Sequence, residues 1–153
     1  KGYHSDAART HAVGEVSEEA KKLIRVTKES FFEGIKFAKA GNHLFDISGA
    51  IGRYAEERGY GVVRDLCGHG IGTALHEAPE IPNYEVGRKG VRLRPGMTLA
   101  IEPMINIGTY EVDWLDDDWT VVTRDGSLSA HYENTILITE GEPRILSLTC
   151  ENE

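Results

Sequence analysis

The first half of the chain places apolar residues at helical spacing. From Ser17 to Ala38, apolar and small residues recur every three or four positions, so they fall on one face of a helix. Ser17 is a suitable N-cap, and Gly41 is a suitable stop. A second pattern of the same kind starts with Asp46 as its cap and closes at Gly59. The pattern therefore predicts two consecutive amphipathic helices.

After residue 59 the hydrophobic period changes towards two, which is typical of strands. Together with a partly polar strand near the start of the chain, the predicted strands cover residues 3–13, 60–66, 97–105, 119–124, 128–139 and 144–148. Asp125-Gly126 and Glu140-Gly141 indicate hairpin turns, whereas residues 68–72 and 79–96 are interpreted as loops. The predicted fold class is α+β, with two helices packed on one face of a curved antiparallel sheet.

Composition narrows the possible functions. The chain has 153 residues and 40% hydrophobic content, which suits one domain. Its net charge of −8 argues against a nucleic-acid partner, because such proteins neutralise phosphates with Lys and Arg. The apolar runs are far shorter than the ~20 residues of a membrane span. Cys67 and Cys150 are too few for a secreted disulfide framework, so a cytoplasmic protein is predicted.

Part of the acidity is local to one segment. Five acidic residues lie within eight positions: Glu111, Asp113, Asp116, Asp117 and Asp118. The segment is interpreted as a solvated loop, with a site for a cation or a basic partner as the alternative.

A glycine-rich segment carries the first candidate chemistry. Residues 67–72 read CGHGIG and follow a predicted strand. Glycine allows a sharp turn and the close approach of a ligand, although an ordinary tight turn with an incidental His69 would explain the same pattern. His76 follows seven residues later, and two histidines near one glycine-rich turn strengthen the case for a site.

Two glutamates interrupt apolar strands. Glu102 stands between Ile101 and Pro103, and Glu133 leads into a strongly β-prone run. A charged glutamate in such a strand is costly unless it is paired or binds a metal. Arg92 or Arg94 could be the common cation, but a divalent metal fits two glutamates better.

Asp6 and His69 complete a possible metal site. With Glu102 and Glu133 they make a set of three carboxylates and one imidazole, drawn from separate segments of the chain. Oxygen-rich sets with one histidine suit Mn, Fe, Co or Zn. The fold, and not a short binding loop, would have to assemble such a site.

Taken together, these motifs resemble the type I methionine aminopeptidase family. The resemblance runs from Tyr3 to about Leu148, and residues 67–79 are its most diagnostic stretch. The motifs Ile101-Glu102-Pro103-Met104 and Tyr132-Glu133-Asn134-Thr135 agree with it. The resemblance implies the pita-bread fold, which has two pseudo-symmetric halves, and it places this chain in the second half.

The resemblance also implies a role for each polar residue. Asp6 would bridge two metals, His69 would be the sole imidazole ligand, Glu102 would bind one metal, and Glu133 would bridge. Glu102 would act as general base and then as general acid. His76 would hydrogen-bond the substrate peptide and stabilise the tetrahedral species.

Further residues would line the substrate pocket or bind an additional ion. Trp119, Leu75 and Met104 match positions near the methionine pocket, with plain core packing as the alternative for each. Ser129 matches a position near a structural monovalent cation, either Na or K. The catalytic cofactors implied are divalent ions of Co, Mn, Fe or Zn.

The chain departs from the family pattern at its start. A further aspartate ligand is expected roughly a dozen residues before Asp6, but only five residues precede it. We therefore expect residues 1–153 to form the C-terminal half of one catalytic domain, with the N-terminal half absent from this chain. One tight divalent metal is predicted where the intact enzyme binds up to two, and activity of the isolated chain should be impaired.

The predicted function is metal-dependent removal of the initiator methionine from nascent proteins. The expected partners are polypeptide N-termini bearing Met and the missing N-terminal half, with no nucleic acid and no membrane. The intact enzyme would be a monomer. Two alternatives are an Xaa-Pro peptidase of the same fold and a non-catalytic binding module of that fold. The presence of Asp6, His69, Glu102 and Glu133 argues against the second alternative.

Overall fold

The computed structural model describes residues 1–148, so Cys150 lies outside the described part of the chain. Helix α1 spans Glu18–Ile35 and helix α2 spans Leu44–Glu56. The Ser17 hydroxyl accepts a hydrogen bond from the amide of Ala20 at 3.1 Å, as an N-cap should. Both predicted helices are confirmed, and neither is long and apolar enough to cross a membrane.

The predicted cap of α2 is wrong by three residues. His43 is the N-cap, and its amide donates to the carboxylate of Asp46 at 2.8 Å. Asp46 therefore lies inside the first turn, where its charge also interacts favourably with the helix dipole.

The described part of the chain also contains ten strands. They are β1 (Ala7–Arg9), β2 (Gly61–Val62), β3 (Gly68–Gly70), β4 (Glu77–Ile81), β5 (Thr98–Ile101), β6 (Met104–Asn106), β7 (Val112–Trp114), β8 (Val121–Thr123), β9 (Ser129–Leu137) and β10 (Arg144–Ile145). Eight of them form one sheet in the order β2-β6-β9-β5-β3-β4, with β1 and β10 also paired to β9. Strands β7 and β8 form a separate hairpin. Every one of these pairings is antiparallel.

The long strand β9 divides the molecule into two faces. Its residues Ala130, Tyr132 and Ile136 belong to the buried core, in which Tyr132 packs against the rings of Phe31 and Phe32 of α1. Since side chains alternate along a strand, residues 131, 133 and 135 point to the opposite face. The predicted α+β fold with helices on one face is confirmed, and the second face holds the polar residues.

Several predicted boundaries change in the structure. The predicted strand 97–105 is broken at Glu102-Pro103 into β5 and β6, because proline has no amide hydrogen for the ladder. Residues 68–70 and 79–81, interpreted as loops, belong to strands β3 and β4. The turn at Glu140-Gly141 joins the paired strands β9 and β10, as predicted. Asp125-Gly126 forms a turn, but β8 pairs with β7 and not with β9.

Candidate metal centre

Four strands bring the predicted metal ligands to the open face of the sheet. On β3, His69 lies opposite Ala100 of β5, so His69 and Glu102, two residues beyond Ala100, share that face. On β9, Glu133 lies on the same face, and Asp6 comes directly before β1, which pairs with β9. The sheet therefore assembles residues that are far apart in the sequence.

Short distances join these side chains. Nε2 of His69 lies 3.4 Å from Oε1 of Glu102 and 3.9 Å from Oδ2 of Asp6. The possible ligand atoms of His69, Glu102 and Glu133 all lie within 4.8 Å of one another, and the same holds for Asp6, His69 and His76. The four predicted ligands thus form two overlapping groups that share His69, and His76 joins the second group.

A hydrogen bond fixes the proton position on His69. Its Nδ1 lies 2.9 Å from the carbonyl oxygen of Gly70, which can only accept, so Nδ1 carries the proton and donates. Nε2 is then the nitrogen that faces Asp6 and Glu102. A histidine whose other nitrogen donates to a backbone carbonyl is oriented as metal-binding histidines are.

Glu133 is the most perturbed acid of the group. Its side chain is buried, with 4% of the residue surface exposed, and its Oε1 has no hydrogen-bond partner among the described residues. Burial is the main cause that raises the pKa of Glu133 to about 8; the nearby charges of Glu102 and Asp6 contribute to this rise, and Arg9 partly opposes it. Without a cation, this carboxyl group keeps its proton near neutral pH.

These features show that the donor set fits a divalent cation. Three carboxylates and one oriented imidazole converge, and the buried oxygen of Glu133 lacks a partner. A divalent ion would compensate both the like-charge repulsion and the missing hydrogen bond. The arginine alternative fails for Arg92, whose Nε donates to the carbonyl of Gly41 at 3.0 Å on the protein surface.

The backbone of Asp6 is fixed by Thr135 on β9. The Thr135 hydroxyl accepts from the amide of Asp6 at 2.8 Å and donates to its carbonyl at 2.9 Å. Because these contacts involve the Asp6 backbone, they leave its Oδ2 directed at His69.

The glycines beside His69 allow close strand packing, and the tight-turn explanation is wrong. A Cβ atom on Gly68 would lie 2.4 Å from the carbonyl oxygen of Ala100, and one on Gly70 would lie 2.3 Å from that of Ala78. Both obstacles are backbone atoms of neighbouring strands, so they cannot rotate away. The two glycines let β3 fit between β4 and β5 with His69 at its centre.

Replacing Gly70 with alanine should therefore destabilise the fold. We expect Gly70→Ala to lower the free energy of unfolding by roughly 1–3 kcal/mol, as for other overpacked positions. Urea denaturation followed by circular dichroism measures this. The control is Gly141→Ala, where a Cβ meets nothing within 4 Å. Equal stability of the two variants would contradict the packing explanation.

His76 lies at the end of a turn that Glu77 organises. The rings of His76 and His69 are 4.4 Å apart between centroids, and His76 is exposed. The Glu77 carboxylate accepts from the amide of Ala74 at 2.8 Å and from the hydroxyl of Thr73 at 3.2 Å. The hydrogen bond from the Ala74 amide is the main cause that lowers the pKa of Glu77. The turn therefore holds an accessible imidazole beside the ligand group.

A cleft of about 840 Å³ adjoins His69 and His76. Its walls combine apolar side chains with charged ones, and they include Leu44, Phe45, Cys67, Ala78, Pro79, Glu80, Arg88 and Val91. Burial is the main cause that raises the pKa of the Cys67 thiol, so Cys67 is a neutral wall residue near pH 7. The cleft therefore borders the candidate ligand group at His69.

The other predicted substrate contacts lie elsewhere on the surface. Trp119 is 86% exposed in the β7–β8 hairpin, and Leu75 is exposed in the turn before His76, so neither packs in the core. Met104 begins β6 and is partly buried. None of the three lines the 840 Å³ cleft in the described structure, and their contact with substrate stays a prediction.

Two smaller predictions concern ions and charge. Ser129 begins β9, where its hydroxyl donates to the carbonyl of Ile105 at 3.3 Å, and its monovalent-cation site stays a prediction. In the acidic segment, Arg124 pairs with Glu111 at 2.7 Å and with Asp113 at 2.9 Å across the β7–β8 hairpin. Those two acids are thus partly neutralised within the chain.

Sequence reasoning missed two residues beside the ligands. Arg9 on β1 donates to the backbone carbonyl of Glu133 and, at 2.8 Å, to the side chain of Asn134. Nε2 of His131 lies 3.4 Å from Oε2 of Glu102. The position of His131, two residues before Glu133 in a predicted strand, was a usable signal because such residues share a face.

Comparison with known proteins agrees with this geometry. The chain is 61% identical over 150 residues to a methionine aminopeptidase of Clostridium acetobutylicum, an alignment that covers 98% of the chain and 60% of that relative. The crystal structure of methionine aminopeptidase from Thermotoga maritima superposes with a TM-score of 0.94 at 50% identity, over 97% of this chain and 60% of that one. The prolidase from Pyrococcus horikoshii superposes with a TM-score of 0.74 at 27% identity, over 97% of this chain and 37% of that one.

The chain thus spans about 60% of the length of the methionine aminopeptidases it matches. A protein-family model also matches most residues of this chain. Residues 1–140, which include all four predicted metal ligands, match the model described as metallopeptidase family M24. The chain belongs to metallopeptidase family M24.

Proposed function

We propose that this chain provides the metal-binding part of a methionine aminopeptidase, which removes N-terminal methionine from newly made proteins in the cytoplasm. The convergence of His69, Glu102 and Glu133 with Asp6 on one face of the sheet is the observation that carries the proposal. The identity of 61% to a methionine aminopeptidase favours methionine as the residue removed. The acidic chain with two cysteines suits a reducing compartment.

Asp6, His69, Glu102 and Glu133 would hold the divalent cation. Such a cation lowers the pKa of a water molecule and polarises the carbonyl group of the scissile peptide bond. We propose Co, Mn, Fe or Zn, with one ion bound tightly by this chain, because only three carboxylates are present to balance charge. Two ions would leave an excess positive charge, since three carboxylates do not neutralise four positive charges.

Glu102 is proposed to move the proton during hydrolysis. It stands at the break between β5 and β6, where its carboxylate is mostly shielded and next to His69. Glu102 would accept the proton of the attacking water and later transfer it to the nitrogen of the departing amine. The hydroxyl group adds to the carbonyl carbon, the carbon–nitrogen bond breaks, and free methionine and the shortened chain result.

His76 is proposed to hydrogen-bond the substrate. Its imidazole is exposed beside His69, and the turn held by Glu77 limits its movement. A donor placed here can stabilise the oxygen of the tetrahedral species. The neighbouring cleft would receive the peptide beyond its first residue, and Trp119, Leu75 and Met104 are proposed as contacts of the methionine side chain.

Peptide cleavage tests the proposed function. We expect hydrolysis of Met-Ala-type peptides with added Mn or Co, inhibition by a chelator, and no cleavage of Ala-Pro peptides. Because the chain spans about 60% of its relatives, it should be assayed alone and joined to the part of the C. acetobutylicum relative that it does not cover. We propose that the chain alone is much less active than the joined protein.

The assay also separates the rival functions. Preferential cleavage of Ala-Pro peptides would assign the chain to the Xaa-Pro peptidases, whose fold it shares at a TM-score of 0.74. Metal binding without cleavage by the joined protein would indicate a binding module. Either result would contradict the proposed function.

A further inference from the structure

His131 has an unusual environment for a histidine near the surface. Its side chain is 34% exposed, yet its Nε2 atom is shielded from solvent and has no hydrogen-bond partner in the described structure. Nε2 therefore points into the protein, although part of the ring is exposed to solvent. A shielded ring nitrogen without a partner needs an explanation, because buried polar atoms are nearly always paired.

The backbone around His131 is held on both sides. The hydroxyl of Thr10 accepts from the His131 amide at 2.8 Å and donates to the His131 carbonyl at 3.0 Å. On the other side, His131 is paired with Met104 of β6, two residues after Glu102. The direction of the imidazole is thus a consequence of the sheet and not of a mobile loop.

The shielded Nε2 atom of His131 faces two carboxylates. Nε2 of His131 lies 3.4 Å from Oε2 of Glu102 and 4.0 Å from Oε2 of Glu133. The other oxygen of Glu102, Oε1, lies 3.4 Å from Nε2 of His69. Glu102 is therefore placed between two imidazoles, one at each carboxylate oxygen.

The two imidazoles differ in the ring nitrogen that donates a hydrogen bond. His69 donates from Nδ1 to the carbonyl of Gly70, which leaves its Nε2 available to a cation. Nδ1 of His131 has no such backbone acceptor in the described structure, so its proton can be carried on Nε2, where an N–H group is attracted to the carboxylate oxygens that it faces. The surroundings therefore favour the tautomer of His131 that donates from Nε2.

We propose that His131 is a positioning residue that donates a hydrogen bond from Nε2 to the second oxygen of Glu102. The terminal torsion of a glutamate is broad, so a single contact does not fix the plane of its carboxylate. A donor at Oε2 fixes that plane, with Oε1 directed towards His69 and the cation. This inference rests on the proposed function, since it assigns His131 to the same site.

The test compares leucine and glutamine at position 131. His131→Leu removes the donor and should lower the affinity for Mn²⁺, measured by calorimetry on this chain, by about 10–100-fold, as is typical for a residue that orients a metal ligand. His131→Gln keeps an N–H group at the position of Nε2 and should bind Mn²⁺ nearly as the wild type does. In the joined protein, kcat should fall for His131→Leu with little change in KM, and His131→Gln should restore it. The matched control is His11→Leu, which removes an exposed imidazole two residues after β1.

The outcomes distinguish this inference from the proposed function. Absence of Mn²⁺ binding by the wild-type chain, or of cleavage by the wild-type joined protein, contradicts the proposed function. If the wild-type proteins bind Mn²⁺ and cleave peptide, then an Mn²⁺ affinity and a kcat of His131→Leu equal to those of the wild type contradict the role of His131. Loss of affinity in both His131→Leu and His131→Gln would make His131 a direct ligand and also overturn the positioning role. If His131→Leu does not fold, His131→Asn is tested instead, because the shorter asparagine side chain does not bring its amide N–H group to Glu102.

Discussion

Replacing Glu102 with glutamine should abolish most peptide cleavage by the joined protein. Glutamine has the same shape, but its amide cannot accept a proton from water, so the proposed general base and acid is lost. Such groups contribute typically 10²–10⁴-fold to rate, and we expect kcat to fall by roughly this factor. The chain should still fold, because glutamine has nearly the shape of glutamate and places no charge in this shielded position.

Steady-state kinetics with a Met-Ala-Ser peptide measures this effect. Circular dichroism of the same samples shows whether the fold is retained, and calorimetry shows how much Mn²⁺ binds. The matched control is Glu140→Gln, which changes an exposed carboxylate in the β9–β10 turn. Activity of Glu102→Gln close to that of Glu140→Gln would remove Glu102 from the reaction.

Replacing Glu133 with glutamine should stabilise the metal-free chain at neutral and alkaline pH. Burial holds the pKa of Glu133 at about 8 in the folded protein, whereas an unfolded glutamate titrates near 4.5. Between these values the folded state retains a proton that the unfolded state releases. Wild-type stability therefore decreases as the pH rises from about 4.5 to about 8, and the decrease reaches on the order of 3 kcal/mol at pH 7.

Glutamine removes this pH dependence because it does not titrate. Urea denaturation in the presence of a chelator, from pH 5 to pH 9, should show Glu133→Gln gaining on the wild type as the pH rises. Saturating Mn²⁺ should reverse the order, since the cation stabilises the wild type and binds poorly to the variant. Parallel stability curves for the two proteins across this pH range would contradict the raised pKa.

The helices were predictable because their signals are local. Ser17 caps α1 through the amide of Ala20, three residues away, and the apolar spacing that follows identifies the buried face. The start of α2 was not predicted correctly, because His43 and Asp46 form a reciprocal cap in which the usual capping residue lies inside the helix. Local rules identify the helix but do not decide between two acceptable starting residues.

The strands around His69 depend on long-range contacts, and local rules failed there. Gly68 and Gly70 have little intrinsic preference for a strand, and β3 exists because β4 and β5 supply hydrogen bonds on both sides. The four candidate ligands nevertheless include Glu102 and Glu133, which the sequence singles out because a charged residue in an apolar strand requires a partner. Arg9 was not predicted, because its contacts depend on the register between β1 and β9. His131 was also missed, although its place two residues before Glu133 in a predicted strand indicates a shared face.

Strand β9 has a consequence for how the site behaves over time. It pairs with four other strands, β1, β5, β6 and β10, and α1 covers the face that points away from the candidate ligands. Glu133 is part of the same strand as core residues Tyr132 and Ile136. The backbone amides of this strand should therefore exchange with solvent deuterium only when the whole sheet opens. The backbone that carries Glu133 should therefore keep its position for as long as the sheet stays paired.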